Sequence, residues 1–187
     1  MEDQPPYPIR TPRLLLREIR REDFDDVHAY ATDPLTIRYM DWGPNTEEVT
    51  REFLERQVSE QAVWPRTGLS YAVELLAEQK VIGAVRLGLQ DHRNADFGYA
   101  LGSAYWGRGL GTEAAEALVN LAFERFDAQR VWASCDTRNR RSFGIMEKLG
   151  MRREGTLRQN QPTREGGWRD THLYAVLAQE WAARLNA

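Results

Sequence analysis

The segment Trp106-Gly107-Arg108-Gly109-Leu110-Gly111-Thr112 constrains the fold more than any other stretch of this chain. Alternate glycines strip the side chains from one turn. Directly behind it Ala114, Ala115, Leu118, Leu121 and Ala122 fall on one helical face. The run Phe97-Gly98-Tyr99-Ala100-Leu101 just before the turn reads as a strand. A strand, a glycine turn and a helix bring bare backbone N–H groups to one point. Those donors have no partner inside the helix, and the helix dipole adds partial positive charge. Residues 107–112 are therefore expected to hold a pyrophosphate-bearing ligand.

Several nucleotide binders use such a turn. A Walker loop ends in Gly-Lys-Ser/Thr, and no Lys follows these glycines. Gly109-Leu110-Gly111-Thr112-Glu113-Ala114 matches the dinucleotide pattern Gly-x-Gly-x-x-Gly/Ala. That pattern belongs in the first βαβ unit, with an acidic residue about 20 residues on. Here much of the chain comes first, and it reads largely as antiparallel strands. An ordinary glycine loop is the third alternative, and alternating glycines at one strand-to-helix junction argue against it.

Length and charge bound the rest. A chain of 187 residues fits one domain with a substantial core. The net charge of −3 gives no reason to expect a nucleic-acid partner. The single cysteine, Cys135, excludes an intrachain disulfide and suits a reducing cytoplasm. No secretory leader and no bilayer-length apolar run is recognisable, so no membrane partner is expected. His28, His92 and His172 have no ligand spacing, so no metal site is expected.

Residues 1–12 are polar and Pro-rich and read as a flexible lead-in to a domain over 13–187. Strands are expected over 13–18, 70–76, 81–89, 96–101, 130–136, 152–158 and 171–177. Helices are expected over 23–31, over a segment ending before Pro65, over 113–126 and over 142–148. Asn45 with Glu48 resembles a capping box for the second helix, and Gly150 suits the position just past the last one. This order indicates mixed α/β in one domain.

Gly98-Tyr99-Ala100-Leu101, the turn from Arg108 to Ala114, Asn139-Arg140-Arg141-Ser142 and Glu147-Lys148-Leu149-Gly150-Met151 together resemble the GNAT acetyltransferases. Thr11-Pro12-Arg13-Leu14-Leu15-Leu16-Arg17, Trp168-Arg169-Asp170 and Leu173-Tyr174-Ala175-Val176 are similar to the branch that includes the ribosomal-protein N-terminal acetyltransferases (RimJ/RimL-like). The resemblance implies a mostly antiparallel twisted sheet, flanked by helices and splayed open between the parallel strands 96–101 and 130–136. It implies acetyl-coenzyme A in that gap. The pantetheine arm would pair with the backbone of Tyr99, Ala100 and Leu101, one N–H of which would hold the developing oxyanion. The pyrophosphate would lie on Gly107, Arg108, Gly109, Leu110, Gly111 and Thr112, with Arg108 the side chain nearest it. Asn139 matches a position that contacts the coenzyme arm and also suits a helix cap. Ser142 is placed to donate a hydrogen bond to the leaving thiolate.

The resemblance does not carry over everywhere. Trp106 stands where many relatives have Gln or Arg and is expected to be a packing residue. Some N-terminal acetyltransferases use a Glu and a Tyr where this chain has Ser134 and Met146. Asp96 and Asp136 are the remaining candidates for the base, and Asp96 is preferred. Cys135 reads as a small buried hydrophobe rather than an acetyl carrier.

The resemblance also implies that the acceptor, an amine on a protein N-terminus or a small molecule, lies between the first two helices, here Asp23 to Trp64, and the loop between the last two strands, here Asn160 to Trp168. Trp42, Trp64 and Trp168 are candidates for an aromatic wall. The acidic helix face from Glu47 to Glu60 favours a cationic acceptor, whereas Arg158, Arg164 and Arg169 favour one carrying a carboxylate. A coenzyme-A-binding sensor without turnover and an NAD-binding protein are the rival functions. A homodimer is common among similar proteins.

Overall fold

A computed structural model describes residues 8–185. Eight strands form one sheet: β1 (Ile9–Arg10), β2 (Leu14–Glu18), β3 (Gly68–Leu75), β4 (Lys80–Gln90), β5 (Asn94–Leu101), β6 (Arg130–Asp136), β7 (Arg152–Pro162) and β8 (Trp168–Leu177). Five helices accompany them: α1 (Phe24–Thr32), α2 (Glu47–Gln61), α3 (Leu110–Glu124), α4 (Arg140–Lys148) and α5 (Ala178–Leu185). The spatial order is β1-β2-β3-β4-β5-β6-β8-β7, and every neighbouring pair is antiparallel except β5–β6.

Strand alternation explains how the sheet is covered. Leu69, Tyr71, Val73 and Leu75 of β3 point to one core, while Ala72 points to the other. The larger core takes α3, whose Leu110, Ala114, Ala115, Leu118 and Ala122 are buried, together with Met146 of α4 and Trp181 of α5. The small alanines let α3 lie close to the strands. The opposite core is smaller and packs Val27, Tyr30 and Ala31 of α1 and Leu54 of α2 over Ala72 and Val81.

Several boundaries differ from the sequence reading. Thr46, not Asn45, caps α2, and its hydroxyl accepts the Val49 N–H at 3.3 Å, because the extended backbone ends at Thr46 and the helix begins at Glu47. The expected lead-in lies outside the described residues over 1–7, while Ile9 and Arg10 pair with Leu16 and Leu15. α3 begins at Leu110 and α4 at Arg140, each earlier than expected. The β7–β8 hairpin extends further than its apolar residues suggested, with Gln161 opposite Arg169. α5 was not anticipated at all; it is anchored by Trp181, whose indole donates to Asn120 Oδ1 at 2.8 Å.

Candidate active site

The parallel pair β5–β6 is short. Asn94, Ala95 and Asp96 face Arg130, Val131 and Trp132, and pairing stops there. Beyond that point β5 stays paired with β4, and β6 stays paired with β8. The two strands part, and the β5 backbone from Phe97 onward loses its neighbour on that side. α4 crosses the opening, and the Tyr99 hydroxyl reaches it, lying 2.8 Å from Ser142 O and 2.9 Å from Ser142 Oγ. Burial pushes the Tyr99 phenol above its ordinary range, with the Ser142 bond pulling the other way, so it is a protonated donor.

Two cavities open on this point. One, of about 540 Å³, runs along residues 107–112 and α4. The other, of about 660 Å³, lies between α1, α2 and the ends of β5, β6 and β8. Tyr39, Met40, Tyr99, Ala100, Asn139 and Ser142 line both. Groups bound in the two cavities would therefore meet beside Tyr99 and Ser142.

The glycine turn has the geometry its sequence requires. Gly107 and Gly109 have φ of +75° and +78°, a region that costs other residues about 1–2 kcal/mol. Gly109 caps α3, and the Glu113 N–H makes the helix's first bond to Gly109 O at 3.1 Å. The N–H groups of Leu110, Gly111 and Thr112 thus precede any intrahelical partner and line the cleft. The turn is braced from behind. Glu113 accepts from the Thr11 hydroxyl at 2.6 Å and from Arg13 Nε at 2.7 Å, and Arg13 also donates to Arg108 O at 2.8 Å. Burial alone would raise the Glu113 pKa, but these bonds hold it below the ordinary value. Thr11 and Arg13 are therefore part of the turn's support.

Arg108 does not face this cleft. Its guanidinium lies over the Tyr105 ring and 3.7 Å from Glu78, because the left-handed glycines on either side turn it outward. The cationic side chains that do line the cleft are Arg38, Arg138, Arg140, Arg141 and Lys148, and no carboxylate joins them among the described residues. Arg141 stacks 4.9 Å over the Trp106 ring, and the Trp106 indole donates to Leu101 O at 2.8 Å. Trp106 thus pins the loop to the end of β5. Asn139 both caps α4, accepting from Ser142 N at 3.2 Å, and lines the two cavities.

The two candidate carboxylates part company. Asp96 sits at the paired end of β5, bound to Arg86 at 2.6 Å and Gln90 at 2.8 Å, and is not on the wall of either cavity. Asp136 lines the larger cavity with its side chain only 1 % exposed. Arg138 donates to it from its backbone N–H and Nε at 2.9 Å and from Nη2 at 2.7 Å. Burial alone would raise the Asp136 pKa; the Arg138 bonds, with Arg169 nearby, hold it below the usual carboxylate value. Ser134, Cys135 and Met146 share this wall. Burial pushes the Cys135 thiol up to about 11, which leaves little thiolate for acyl transfer.

Of the three tryptophans, Trp42 alone lines the larger cavity. Trp64 is 56 % exposed in the turn after α2, whose contribution to the wall ends at Gln57. Trp168 is 63 % exposed, because alternation along β8 turns it away when Arg169 turns in. The aromatic wall comes instead from Tyr30, Tyr39, Phe53 and Phe97 with Trp42. On α2, Glu47 pairs with Arg51 and Glu55 with Arg21, and only Glu52 of the acidic face reaches the cavity. Arg164 donates to Gly43 O and Ile37 O, latching the β7–β8 loop onto the segment over α1, while Arg158 is exposed on β7. No cluster of three or more potential metal ligands occurs, and no helix is long and apolar enough to cross a membrane, among the described residues.

Comparison with known proteins fits this geometry. The family model described as an acetyltransferase (GNAT) domain matches residues 13–152. An uncharacterised N-acetyltransferase of Bacillus subtilis, YnaD, is 30 % identical over 174 residues, covering 92 % of this chain and 98 % of its own. The crystal structure of a GNAT-family acetyltransferase from Bacillus anthracis superposes with a TM-score of 0.81 at 29 % identity, over 92 % of this chain and 99 % of that one. A ribosomal-protein-S5-alanine acetyltransferase from Vibrio fischeri shares the fold at 21 % identity, with a TM-score of 0.76 over 94 % of this chain and 99 % of its own. With the splayed strands, the glycine turn and the matched domain all in place, the chain belongs to the GNAT acetyltransferases.

Proposed function

We propose that this protein moves the acetyl group of acetyl-coenzyme A to a primary amine by direct attack in a ternary complex. The observation that carries the reading is the meeting of the two cavities at Tyr99, Ala100, Asn139 and Ser142. The cavity along the glycine turn supplies free helix N–H groups and five cationic side chains, only Arg138 of which is paired with a carboxylate (Asp136) among the described residues, in a chain of net charge −3. That local excess suits the several phosphate charges of the coenzyme. The other cavity admits the amine.

In this reading the amine nitrogen attacks the thioester carbonyl carbon. A β5 backbone N–H in the segment Tyr99 to Leu101 holds the oxyanion. The C–S bond then breaks, and the Ser142 hydroxyl donates to the departing thiolate. Tyr99 fixes that hydroxyl in place. The ammonium approaches Asp136, the carboxylate on the acceptor wall, and its proton leaves through water, because a carboxyl held low by Arg138 does not keep it. Both reactants held together remove much of the entropic barrier. The motifs at Thr11–Arg17 and Trp168–Asp170 support placement in the RimJ/RimL-like branch, and the reducing cytoplasm is the compartment this reading assumes.

The test is calorimetric titration with acetyl-coenzyme A, with NAD and ATP as controls, followed by thiol release with a panel of amines. Micromolar binding of acetyl-coenzyme A alone and thiol release that depends on an amine are expected. Binding of NAD instead would refute the coenzyme assignment. Coenzyme binding without amine-dependent release would favour a sensor, the reading suggested by Ser134 and Met146 at the Glu and Tyr positions.

A further inference from the structure

Arg169, on the wall of the acceptor cavity, carries a buried donor that no group among the described residues satisfies. The Nε of Arg169 is buried and makes no hydrogen bond among the described residues. The rest of the same guanidinium is engaged: Nη1 donates to Tyr39 O at 2.5 Å and Nη2 to Gln161 Oε1 at 2.8 Å. Those two bonds tie Arg169 to the segment over the cavity and to the opposite strand of its hairpin. The direction of the Nε–H is therefore set before any ligand arrives. Buried N–H groups in folded proteins nearly always have a partner, and one on a cation is the costliest to leave alone.

The surroundings say what would satisfy it. Asp136 lies on the same wall and feels the Arg169 charge, yet its oxygens are committed to Arg138. Arg86, also on the wall, is paired with Asp96. Arg169 is left as a cation with no carboxylate bound to it, on the same wall as Asp136. An acceptor whose amine sits where the cavities meet would carry a neighbouring anion along this wall to Arg169. The wall beyond is aromatic and apolar, with Tyr30, Trp42, Phe53 and Phe97. A volume of about 660 Å³ is of the size that small-molecule sites have.

Building on the acetyltransferase reading above, we propose that the acceptor is a small amine bearing a carboxylate next to its amine, with an apolar side chain, and that Arg169 Nε–H receives the carboxylate. Arg169 is then the specificity-determining residue of the acceptor cavity. A polyamine, which has no anion to offer, would leave that donor unsatisfied.

The experiment compares acid and amide pairs: leucine with leucinamide, and phenylalanine with phenylalaninamide, with spermidine alongside. Binding to the protein saturated with coenzyme A is measured by calorimetry, and thiol release from acetyl-coenzyme A is followed in parallel. Each acid is expected to bind about ten- to a hundredfold more tightly than its amide, the range of one charge-assisted hydrogen bond. Arg169→Gln should bring that ratio close to one, and Arg169→Lys should retain part of it. Arg158→Gln removes an exposed cation of the same hairpin that is not on the cavity wall and should keep the ratio. Amides or spermidine binding as tightly as the acids, no binding by any of these amines, or an unchanged ratio in Arg169→Gln would overturn the proposal. Discrimination in binding without any thiol release would leave this inference standing and overturn the catalytic reading instead.

Discussion

The pair Tyr99–Ser142 makes the sharpest catalytic prediction. The Tyr99 hydroxyl contacts both Ser142 O and Ser142 Oγ, and its ring stacks on Phe97 with centroids 5.9 Å apart. Tyr99→Phe keeps the ring and its packing and removes only the hydroxyl. One net hydrogen bond is worth about 1 kcal/mol, so Tm should fall by only about 2–4 °C in a chain of this size. The Ser142 hydroxyl then loses the partner that orients it. A positioned proton donor contributes about 100-fold or more to turnover, which sets the loss expected for Ser142→Ala. Tyr99→Phe, which misdirects that donor without deleting it, should lower kcat about tenfold. KM for acetyl-coenzyme A should change little in either variant, because neither hydroxyl is assigned to the phosphates. If Tyr99 acts only by holding Ser142, the double variant is no slower than Ser142→Ala, and the cycle shows a coupling of about 1.4 kcal/mol. Steady-state thiol release on the four proteins measures this. Strict additivity, or a Tyr99→Phe enzyme at full kcat, would refute the assignment of Tyr99 as the residue that positions Ser142.

Other consequences can be read from single residues. Gly109→Ala places a side chain at φ +78° with nothing closer to its Cβ than Arg13 Nη2 at 3.4 Å, so strain rather than clash is the expected cost. Relaxing about 1–2 kcal/mol of strain should misalign the helix N–H groups and weaken acetyl-coenzyme A binding about five- to thirtyfold by calorimetry. Cys135→Ala should retain kcat within about twofold, since a thiol raised by burial is not a nucleophile; a collapse of turnover would instead point to an acyl-cysteine route. Asp33 should contribute to acid stability. Burial alone would raise its pKa, but bonds from Ser103, Thr36 and Leu35 hold it down to about 2. A depressed carboxyl stabilises the fold above its unfolded pKa of about 3.9 and loses that contribution as pH falls through the folded value. Asp33→Asn should therefore be less stable than the parent at pH 6 by about 1 kcal/mol, after discounting for solvent screening, and equal to it near pH 2. Denaturant melts at the two pH values decide this.

How much of the molecule was legible depended on how local each feature is. α3 was legible because its apolar period and its glycines lie within one short stretch. The splay between β5 and β6 was legible only through the resemblance, since nothing in either strand marks where pairing ends. β1 and α5 escaped because a two-residue strand has no period, and because α5 follows β8 with no connecting residue to punctuate it. The direction of Arg108 was not legible for a related reason: adjacency to a glycine turn does not fix the direction of a side chain between two residues of positive φ. The cationic side chains that line the cleft come from α4, from Arg138 just before it and from Arg38 in the segment after α1, none of them in the turn itself.

The acceptor side was illegible on stronger grounds. Its roof is the segment holding Tyr39 and Met40, and that segment is held down by Arg164 and Arg169 from a hairpin more than a hundred residues later. In the sequence those arginines look alike. In the fold Arg158 is exposed on β7, Arg164 spends its donors on backbone carbonyls, and Arg169 on the cavity wall has a buried Nε without a partner among the described residues. The acidic face of α2 divides in the same way, with Glu47 and Glu55 in surface pairs and Glu52 on the wall. Composition could therefore point to a cation and to an anion at once without contradiction, because both signs are present and only tertiary pairing decides which charges remain available. The same reasoning reconciles a chain of net charge −3 with a cleft lined by five cations, of which only Arg138 has a carboxylate bound to it among the described residues: bulk charge is an average over the surface, whereas binding responds to what the fold leaves unpaired at one point.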